Sequence, residues 1–389
     1  MKPLVEPAAE LTTEEVARYS RHLLLPDIGM EGQRRLKNAR VLIMGAGGLG
    51  SPAITYLAAA GVGTMGVVDD DVVDESNLQR QVIHRTADIG RPKVDSAVDA
   101  VAALNPLVTV EPHHLRLTRD NALDIVSRYD LVLDGADNFP TRYLVSDACE
   151  LLGKPEVWGS VFRFDAQVSV FWAGHGPTYR DLFPEPPPPG AVPSCAEGGV
   201  LGAMVASVGS VMATEAVKLI VGSGRPLLGR LLVLDALDST WRELRIAPLP
   251  GREPVTELTD VEAWCAAAGG VAPVADAAVP EVTAREVADL LQGRDRGEAD
   301  FVLVDVRGEA ERAVVSIPGH APVHLDAILS GDGAMQLPRD RRVIVYCKSG
   351  ARSERAAKAL REKGFEDVVN LRGGVLAWVD DVDPSLPRY

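Results

Sequence analysis

Two glycine-containing loops carry residues whose types and spacing could support chemistry. The first is Gly45-x-Gly47-x-x-Gly50, which follows the apolar run Val41–Met44 and precedes a predicted helix over Pro52–Ala60. Glycines at this spacing let the backbone approach a phosphate, and the helix start supplies amide donors and partial positive charge. Asp69 follows about 20 residues later at the end of a predicted strand, where a carboxylate can hold ribose hydroxyls. The pattern predicts a nucleotide site and fits NAD as well as ATP; a tight turn without a ligand is the alternative.

The second loop is Cys347-Lys-Ser-Gly-Ala-Arg352, which also lies between a predicted strand and a predicted helix. Backbone amides around a cysteine at a helix start, with Lys348 and Arg352 beside it, favour a thiolate or another sulfur anion. The alternative is an inert buried cysteine. Cysteine phosphatases use a related loop with one more residue between Cys and Arg, so the shorter loop here fits a persulfide better than a phosphate.

Polar residues follow the strands that neighbour the first loop. Three of the carboxylates between Asp70 and Glu75 could attract Mg²⁺, and Arg80 could meet a phosphate. Lys93 lies in the first turn of a helix predicted to run to about Leu104. A cation there is unfavourable unless an anion lies nearby.

Asp137 and Asn138 follow the buried strand over 129–134. Ligands of doubly wound sheets sit beyond the carboxyl ends of the strands. We therefore expect the glycine loop, Asp69 and Asp137 to meet at one crevice.

Alternating strand and helix patterns predict an α/β fold, with a Rossmann-like doubly wound domain and a smaller α/β domain. We expect the first domain at residues 1–250, a linker at 251–280 with a short helix near Trp264, and the second domain at 281–389. Capping boxes at Thr12 and Thr283 predict helix starts, the first helix running to about Leu25. Residues 176–199 are expected to be irregular, and the uncharged run that follows is shorter than a membrane span and predicts a buried helix.

Composition narrows the function classes. The 389 residues have a net charge of −15, which argues against a nucleic-acid partner. The four cysteines form no CxxC pair, so neither a disulfide framework nor a four-cysteine zinc site is expected. The acidic start has no signal-peptide core, so we expect a cytoplasmic protein without a membrane segment.

Several motifs together resemble the MoeB/ThiF adenylyltransferases, which are relatives of the ubiquitin-activating enzymes. The resemblance covers about the first 250 residues through Arg18–Arg21, Gly45–Gly50, Asp69, Ser76–Gln81, Gly90–Lys93 and Asp134–Asn138. The last 110 or so residues resemble a rhodanese, through Asp305–Arg307 and Cys347–Arg352. This domain order is similar to that of MoeZ-type adenylyltransferase/sulfurtransferases.

The resemblance implies that a ubiquitin-like sulfur carrier presents its C-terminal Gly-Gly carboxylate to the α-phosphate of MgATP, and pyrophosphate leaves. Asp69 is expected to hold the ribose, Asp137 to position Mg²⁺, and Arg21 to reach the partner subunit's site in a homodimer. The residues implied in nucleotide binding are Gly45, Gly47, Gly48, Gly50, Asp69, Ser76, Asn77, Leu78, Gln79, Arg80, Lys93, Asp137 and Asn138.

The rhodanese resemblance implies that Cys347 carries sulfur as a persulfide, supplied by thiosulfate or a cysteine desulfurase, with Arg352 in its loop. The persulfide would attack the acyl-adenylate, expel AMP and move sulfur to the carrier, and a second thiol would release the thiocarboxylate. Cys195 matches the cysteine of the family's mobile loop, for which a covalent link with the carrier or a structural role remain alternatives. The carrier could serve molybdopterin, thiamine, cysteine or tRNA-thiolation pathways.

Two positions depart from the family patterns. Many relatives hold structural zinc with two CxxC pairs, which would fall at Thr178–Asp181 and near Ile246–Pro250, where this chain has no cysteine. We therefore predict no zinc. Ile317-Pro-Gly-His320 replaces the more usual His-Ile-Pro-Gly, which puts a role for His320 in doubt.

Two other functions remain open at this stage. An NAD-dependent oxidoreductase fused to a rhodanese would explain the glycine loop and Asp69, but not Arg80, Lys93 and Asp137 at the same crevice. A non-catalytic scaffold for ubiquitin-like proteins would bind nucleotide without releasing pyrophosphate. Binding assays with NADH and ATP distinguish the oxidoreductase from the adenylyltransferase. Release of pyrophosphate distinguishes the adenylyltransferase from the scaffold.

Overall fold

The computed structural model describes residues 2–187, 199–260 and 279–389. The chain forms two compact units, residues 1–272 and 273–389, and each is described by itself. The helix expected near Trp264 and the candidate Cys195 lie outside the described residues.

The first unit is built on an eight-stranded sheet in the order β3-β2-β1-β4-β5-β6-β7-β8. Neighbours from β3 to β5 are parallel, and those from β5 to β8 are antiparallel. The strands are β1 Arg40–Met44, β2 Thr64–Val68, β3 Thr109–His113, β4 Leu131–Asp134, β5 Glu156–Phe162, β6 Asp165–Phe171, β7 Arg230–Asp235 and β8 Thr240–Arg245.

Helices cover both faces of this sheet, and two apolar clusters form its core. The helices of the described residues of this unit are α1 Thr13–Arg18, α2 Ser20–Leu23, α3 Gly29–Asn38, α4 Gly50–Ala60, α5 Lys93–Leu104, α6 Ala122–Ser127, α7 Phe139–Leu152, α8 Tyr179–Leu182 and α9 Gly202–Val221. The buried apolar strands β1, β2 and β4 end at one edge of the sheet, which is where the candidate nucleotide residues follow. The Rossmann-like prediction for this unit is confirmed.

The prediction of one continuous helix from Thr12 to about Leu25 is wrong. The capping box at Thr12 is present, but α1 ends at Arg18 and α2 begins at Ser20. Tyr19 separates them because its buried side chain reaches inward, where Asn105 donates a hydrogen bond to its hydroxyl over 2.8 Å. Residues 176–187 are also not wholly irregular, since they include α8, whose Tyr179 is buried.

Helix α9 is long and apolar enough to pass a composition test for a membrane span. Its buried side chains, including Val208, Met212, Leu219 and Ile220, belong to the core cluster that covers the sheet. The prediction of a buried helix is therefore confirmed.

The second unit has a parallel five-stranded sheet in the order β11-β10-β12-β13-β9. The strands are β9 Glu281–Val282, β10 Phe301–Asp305, β11 Ala321–Pro322, β12 Arg342–Tyr346 and β13 Val368–Leu371. The helices are α10 Ala284–Asp295, α11 Glu309–Val314, α12 Leu325–Ser330, α13 Ala351–Glu362 and α14 Gly374–Asp381. The predicted smaller α/β domain is thus present, and the capping box at Thr283 opens α10.

Candidate active sites

The glycine loop joins β1 to α4 and needs glycine for different reasons at different positions. Gly45 has a φ of +86°, a conformation that favours glycine. A Cβ on Gly50 would lie 1.8 Å from the carbonyl oxygen of Gly45, and one on Gly48 would lie 2.9 Å from a methyl group of Val205. A Cβ on Gly47 would meet nothing closer than Gln81 at 3.7 Å. Gly45 and Gly50 therefore shape the loop, whereas Gly47 leaves open the space in front of it.

Asp69 fixes this loop from the neighbouring strand. One carboxylate oxygen accepts the backbone N–H of Ala46 over 2.8 Å, and the other accepts that of Asp71 over 2.9 Å. Burial raises the pKa of Asp69, although Lys93 and these two amides oppose the shift. The carboxylates of Asp69, Asp70 and Asp71 lie close enough to hold a metal ion. These hydrogen bonds let Asp69 shape the loop, and each oxygen keeps a further lone pair that can accept a ribose hydroxyl in the cavity.

Two cations stand in front of the loop. Lys93, in the first turn of α5, is 5% exposed and donates to Asp71 Oδ2 over 2.7 Å. The anion required beside this helix start is therefore a carboxylate of the chain itself. Arg80 donates to the backbone oxygen of Ser76 over 2.9 Å.

These groups surround one cavity of about 290 Å³ at the carboxyl ends of β1, β2 and β4. Its lining combines the glycine loop, an acidic loop and several cations, a donor set that suits the phosphates and ribose of a nucleotide. The predicted residues that line it are Gly45, Gly47, Gly48, Asp69, Arg80, Lys93, Asp137 and Asn138.

Other candidates lie away from the lining. Gly50 is the first residue of α4, and Arg21 lies exposed on α2. Ser76–Asn77 belong to a short 3-10 turn, and the backbone of Gln79 packs against the start of α9. The stretch Ser76–Gln79 therefore lies behind Arg80 and positions it. Asn138 lines the cavity but also caps α7 by accepting the N–H of Thr141 over 2.9 Å.

Four polar lining residues were not assigned a role from the sequence: Gln81, Arg116, Thr141 and Arg142. Arg142 is 8% exposed, donates to the backbone oxygen of Ala136 over 3.0 Å, and lies 5.4 Å from the ring centre of Phe139. Arg142 could have been found from the sequence in the same way as Lys93, because both are cations near the start of a predicted helix. Arg116 lies in a loop after β3, and no sequence pattern marked it.

Two carboxyl groups are buried below the cavity on neighbouring strands. Asp134 is 0% exposed and accepts the N–H of Ala136 over 2.9 Å, and Glu156 is 1% exposed. Burial raises the pKa of Asp134 to about 6, and burial together with the charge of Asp134 raises that of Glu156 well above its usual value. The pair therefore holds protons at pH values where exposed carboxyl groups are ionised.

The sulfur loop of the second unit lies between β12 and α13, as predicted. Cys347 is 1% exposed, and its Sγ accepts the N–H of Gly350 over 3.1 Å. Ser353 Oγ lies 3.4 Å from the same sulfur and 2.7 Å from Asn370 Oδ1. Gly350 has a φ of +105°, which turns the loop into the helix. The sulfur therefore faces donors that suit an anion.

Arg352 is oriented by a second layer of charges. Glu311 accepts from both of its terminal nitrogens over 2.7 and 2.9 Å, and Tyr389 donates its hydroxyl to Glu311 over 3.1 Å. Arg307 forms a buried ion pair of 2.6 Å with Asp305 and also donates to the Tyr389 hydroxyl. His320 instead donates its ring Nδ1–H to the backbone oxygen of Ile317 over 2.8 Å.

Hydrogen bonds and ion pairs join the two segments where the resemblance implied CxxC pairs and this chain has no cysteine. Asp181 accepts the N–H of Leu249 over 2.9 Å and Arg252 Nε over 2.8 Å. Arg252 also donates to Glu150 on α7 over 3.1 Å. The segment after β8 is therefore tied to α7 and α8 by charges.

Comparisons with known proteins agree with this architecture. A model of the ThiF family matches residues 19–254, and a model of the rhodanese-like domain matches residues 286–381. Solved structures resemble the first unit. PaaA has a TM-score of 0.54 at 26% identity and covers 62% of this chain and 76% of its own. Escherichia coli MccB with ATP has a TM-score of 0.53 at 21% identity, covers 61% and 73%, and shows the fold alone.

Curated relatives extend the likeness to the full chain. The chain is 55% identical over 393 residues to "Probable adenylyltransferase/sulfurtransferase MoeZ" of Mycobacterium tuberculosis, which covers 100% of this chain and 99% of that protein. It is 40% identical over 413 residues to "Adenylyltransferase and sulfurtransferase MOCS3-2" of Zea mays, covering 98% and 83%. The "Sulfur carrier protein adenylyltransferase" of Thermus thermophilus is 55% identical over 265 residues, covering 65% and 98%.

These matches favour neither the oxidoreductase nor the scaffold, the two alternatives that the sequence left open. The chain is an enzyme that belongs to the ThiF family and, over its full length, to the adenylyltransferase/sulfurtransferases that join a ThiF domain to a rhodanese-like domain.

Proposed function

We propose that this enzyme uses ATP to adenylate the C-terminal Gly-Gly carboxylate of a ubiquitin-like sulfur carrier and then moves sulfur from Cys347 to that carboxyl group. The observation that carries the first step is the convergence of the glycine loop, Lys93, Arg80 and Asp137 on one cavity. In this step a carboxylate oxygen of the carrier attacks the α-phosphorus of ATP, the bond to the β-phosphate oxygen breaks, and pyrophosphate leaves.

The residues of the cavity have separate tasks in this proposal. The amides of the loop and the side chains of Arg80 and Lys93 hold the triphosphate and stabilise the charge that develops on the leaving pyrophosphate. Asp69 holds the ribose. Asp137 is exposed at the rim and would hold Mg²⁺, which would neutralise phosphate charge when bound.

A neighbouring cavity of about 490 Å³ offers a path for the tail of the carrier. It shares Asp137, Asn138, Arg142 and Val161 with the nucleotide cavity, and its remaining lining is mostly apolar. A Gly-Gly tail has no side chains, so it can enter a narrow groove in extended form. We place the carboxylate of the carrier where the two cavities meet.

The second step uses the Cys347 loop. The outer sulfur of a Cys347 persulfide attacks the acyl carbon of the carrier adenylate, and AMP leaves with the bonding electron pair. An acyl disulfide then joins the carrier to Cys347. A second thiolate attacks the Cys347 sulfur of this bond and forms a disulfide with Cys347, and the carrier thiocarboxylate leaves with the electron pair. The N–H of Gly350 donates to Cys347 Sγ and would favour the Cys347 thiolate that receives sulfur from the donor.

The proposal also includes a homodimer in which Arg21 reaches the partner subunit's phosphates, thiosulfate or a cysteine desulfurase as sulfur source, and a cytoplasmic location. The exposure of Arg21 on α2, away from the cavity of its own chain, supports the dimer. For Cys195, a covalent link with the carrier and a structural role remain alternatives. The pathway that the carrier serves also remains open.

The test is ATP–pyrophosphate exchange with a panel of purified Gly-Gly carriers, followed by thiocarboxylate formation with thiosulfate. Wild-type enzyme should catalyse both with at least one carrier. Asp137→Ala should abolish exchange, and Cys347→Ala should keep exchange and stop thiocarboxylate formation. Cys149→Ala removes another buried cysteine and should keep both activities. Normal exchange by Asp137→Ala would remove Asp137 from the mechanism, and thiocarboxylate from Cys347→Ala would remove Cys347 as the carrier of sulfur.

A further inference from the structure

A buried histidine lies directly behind the glycine loop and has no role in the proposed chemistry. His84 is 5% exposed, and its ring Nε2 lies 2.9 Å from the carbonyl oxygen of Ala46, inside the loop. Its Nδ1 lies 2.9 Å from Ser96 Oγ, and Ser96 Oγ lies 3.0 Å from Asp88 Oδ2. These contacts form a chain of three hydrogen bonds from the loop to a carboxylate.

Both ends of this chain accept hydrogen bonds. The Ala46 carbonyl has no proton to donate. Asp88 also accepts the N–H of Arg85 over 3.0 Å and Arg91 Nη1 over 2.6 Å. Burial favours the protonated form of Asp88, but the hydrogen bonds from Arg85, Ser96 and Arg91 outweigh it together and hold its pKa below the usual value, so Asp88 is ionised at neutral pH.

The number of protons available shows which protonation state of His84 satisfies all three hydrogen bonds. Three contacts need three protons, and Ser96 supplies one. A neutral imidazole has a single N–H, which leaves one contact without a proton, whereas an imidazolium has two N–H groups and satisfies all three. With Ser96 donating to Asp88, His84 donates to Ser96 and to Ala46.

The surroundings of His84 both oppose and favour a positive charge on its ring. Burial has the largest effect and holds the pKa of His84 below its ordinary value, and the charge of Lys93 on α5 lowers it further, so His84 is a neutral imidazole at pH 7.5 before nucleotide binds. The hydrogen bond to Ala46 and the charges of Asp69, after β2, and Asp88 raise it. Arg91 faces the far side of Asp88. A triphosphate bound in front of the loop would pair with Lys93 and add negative charge near His84, so it would favour the imidazolium.

We propose that His84 is a positioning residue which holds the Ala46 carbonyl of the glycine loop, and that it takes up a proton from solvent when a nucleoside triphosphate binds. The inference rests on the proposed function, because it requires the cavity to bind ATP. Ala46 is held from both sides, since its N–H is donated to Asp69 and its carbonyl accepts from His84. Protonation of His84 would therefore fix the peptide whose neighbours face the phosphates.

The experiment is calorimetric titration of the full chain with α,β-methylene-ATP and Mg²⁺ at pH 7.5, in buffers with different ionisation enthalpies. The dependence of the heat on the buffer gives the number of protons taken up. We compare wild type with His84→Gln, which keeps a neutral amide donor, and Ser96→Ala, which breaks the chain at a residue that is 1% exposed. His175→Gln changes an exposed histidine on a turn and is the matched control.

Wild type and His175→Gln should take up the same number of protons, up to one per site. His84→Gln and Ser96→Ala should take up fewer, and their affinity for the nucleotide should change less between pH 7 and pH 8.5. Equal proton numbers in wild type and Ser96→Ala would overturn the inference, even if His84→Gln failed to fold. Absence of nucleotide binding by wild type would overturn the proposed function as well, so the two failures are distinguishable.

Discussion

At the residue scale, the glycine loop shows that residues of one type can have different physical tasks. Gly50 has no room for a side chain because its Cβ position coincides with a backbone oxygen of the same loop. Gly47 has room within the protein, and the space beside it is the cavity itself. The sequence pattern predicts the loop but does not distinguish these two tasks.

Exchanging each glycine for alanine separates folding from binding. Gly50→Ala should lower the free energy of unfolding by about 3 kcal/mol or more, because the loop or α4 must move. Gly47→Ala should keep the melting temperature of wild type and raise the KM for ATP about tenfold or more, because the methyl group occupies phosphate space. Thermal melts and pyrophosphate exchange measure the two effects. Equal KM values for Gly47→Ala and wild type would show that phosphates do not approach this residue.

At the element scale, ion pairs join the two segments where the resemblance implied cysteine pairs. The side chains of Asp181 and Glu150 are 3% and 6% exposed, and that of Arg252 is 17% exposed. Removing one partner leaves buried carboxylates without a counter-charge, which is costly. The sequence shows that the cysteines are absent, but only the structure shows what joins α7 and α8 to the segment after β8.

Arg252→Met should therefore destabilise the first unit by about 3 kcal/mol, measured by urea unfolding. Arg225→Met removes an exposed pair of 3.8 Å and should change stability by less than about 0.5 kcal/mol. Metal analysis of the wild type should find less than one zinc per chain. Stoichiometric zinc, or equal stability of the two variants, would contradict this account of the segment.

Two buried carboxyl groups on the neighbouring strands β4 and β5 should make the stability of the protein depend on pH. Asp134 and Glu156 both have pKa values raised by burial, so the folded state binds more protons than the unfolded state above about pH 4. The stability that these protons supply is present at low pH and is lost as pH rises through the folded pKa values, about 6 for Asp134.

Glu156→Gln removes one of these titrating groups and keeps a similar shape. Its melting temperature should therefore fall less than that of wild type between pH 5.5 and pH 8, by a difference on the order of 2 °C. Scanning calorimetry at the two pH values measures this difference. A parallel decrease for both proteins would mean that Glu156 is ionised in the folded state throughout this range.

At the scale of the whole molecule, each unit has its own sheet, its own apolar core and its own chemical loop. The Thermus thermophilus relative matches 65% of this chain over 98% of its own length. The second unit begins its core at Val279, which belongs to the cluster around β12. These observations support our proposal that the two partial reactions belong to separate domains.

Separate production of residues 1–260 and 279–389 tests this division. The first piece should retain pyrophosphate exchange with the carrier, and the second should accept sulfur on Cys347 from thiosulfate. A mixture of the two pieces at micromolar concentration should form thiocarboxylate more slowly than the intact chain, because joining the units raises their effective concentration. Loss of exchange by the first piece, with its fold intact, would contradict separate sites.

The sequence by itself determined the two α/β folds, the two loops and eight of the residues that line the cavity, because these depend on local patterns of apolar residues, glycines and helix starts. It placed Lys93 correctly at a helix start that needs an anion. Only the tertiary structure identified that anion as Asp71, placed Ser76–Gln79 behind Arg80, and brought Arg142 to the cavity. It also broke the first helix at Tyr19, which packs against residues distant in sequence. Contacts between distant residues depend on how helices and strands pack, and local patterns do not contain that information.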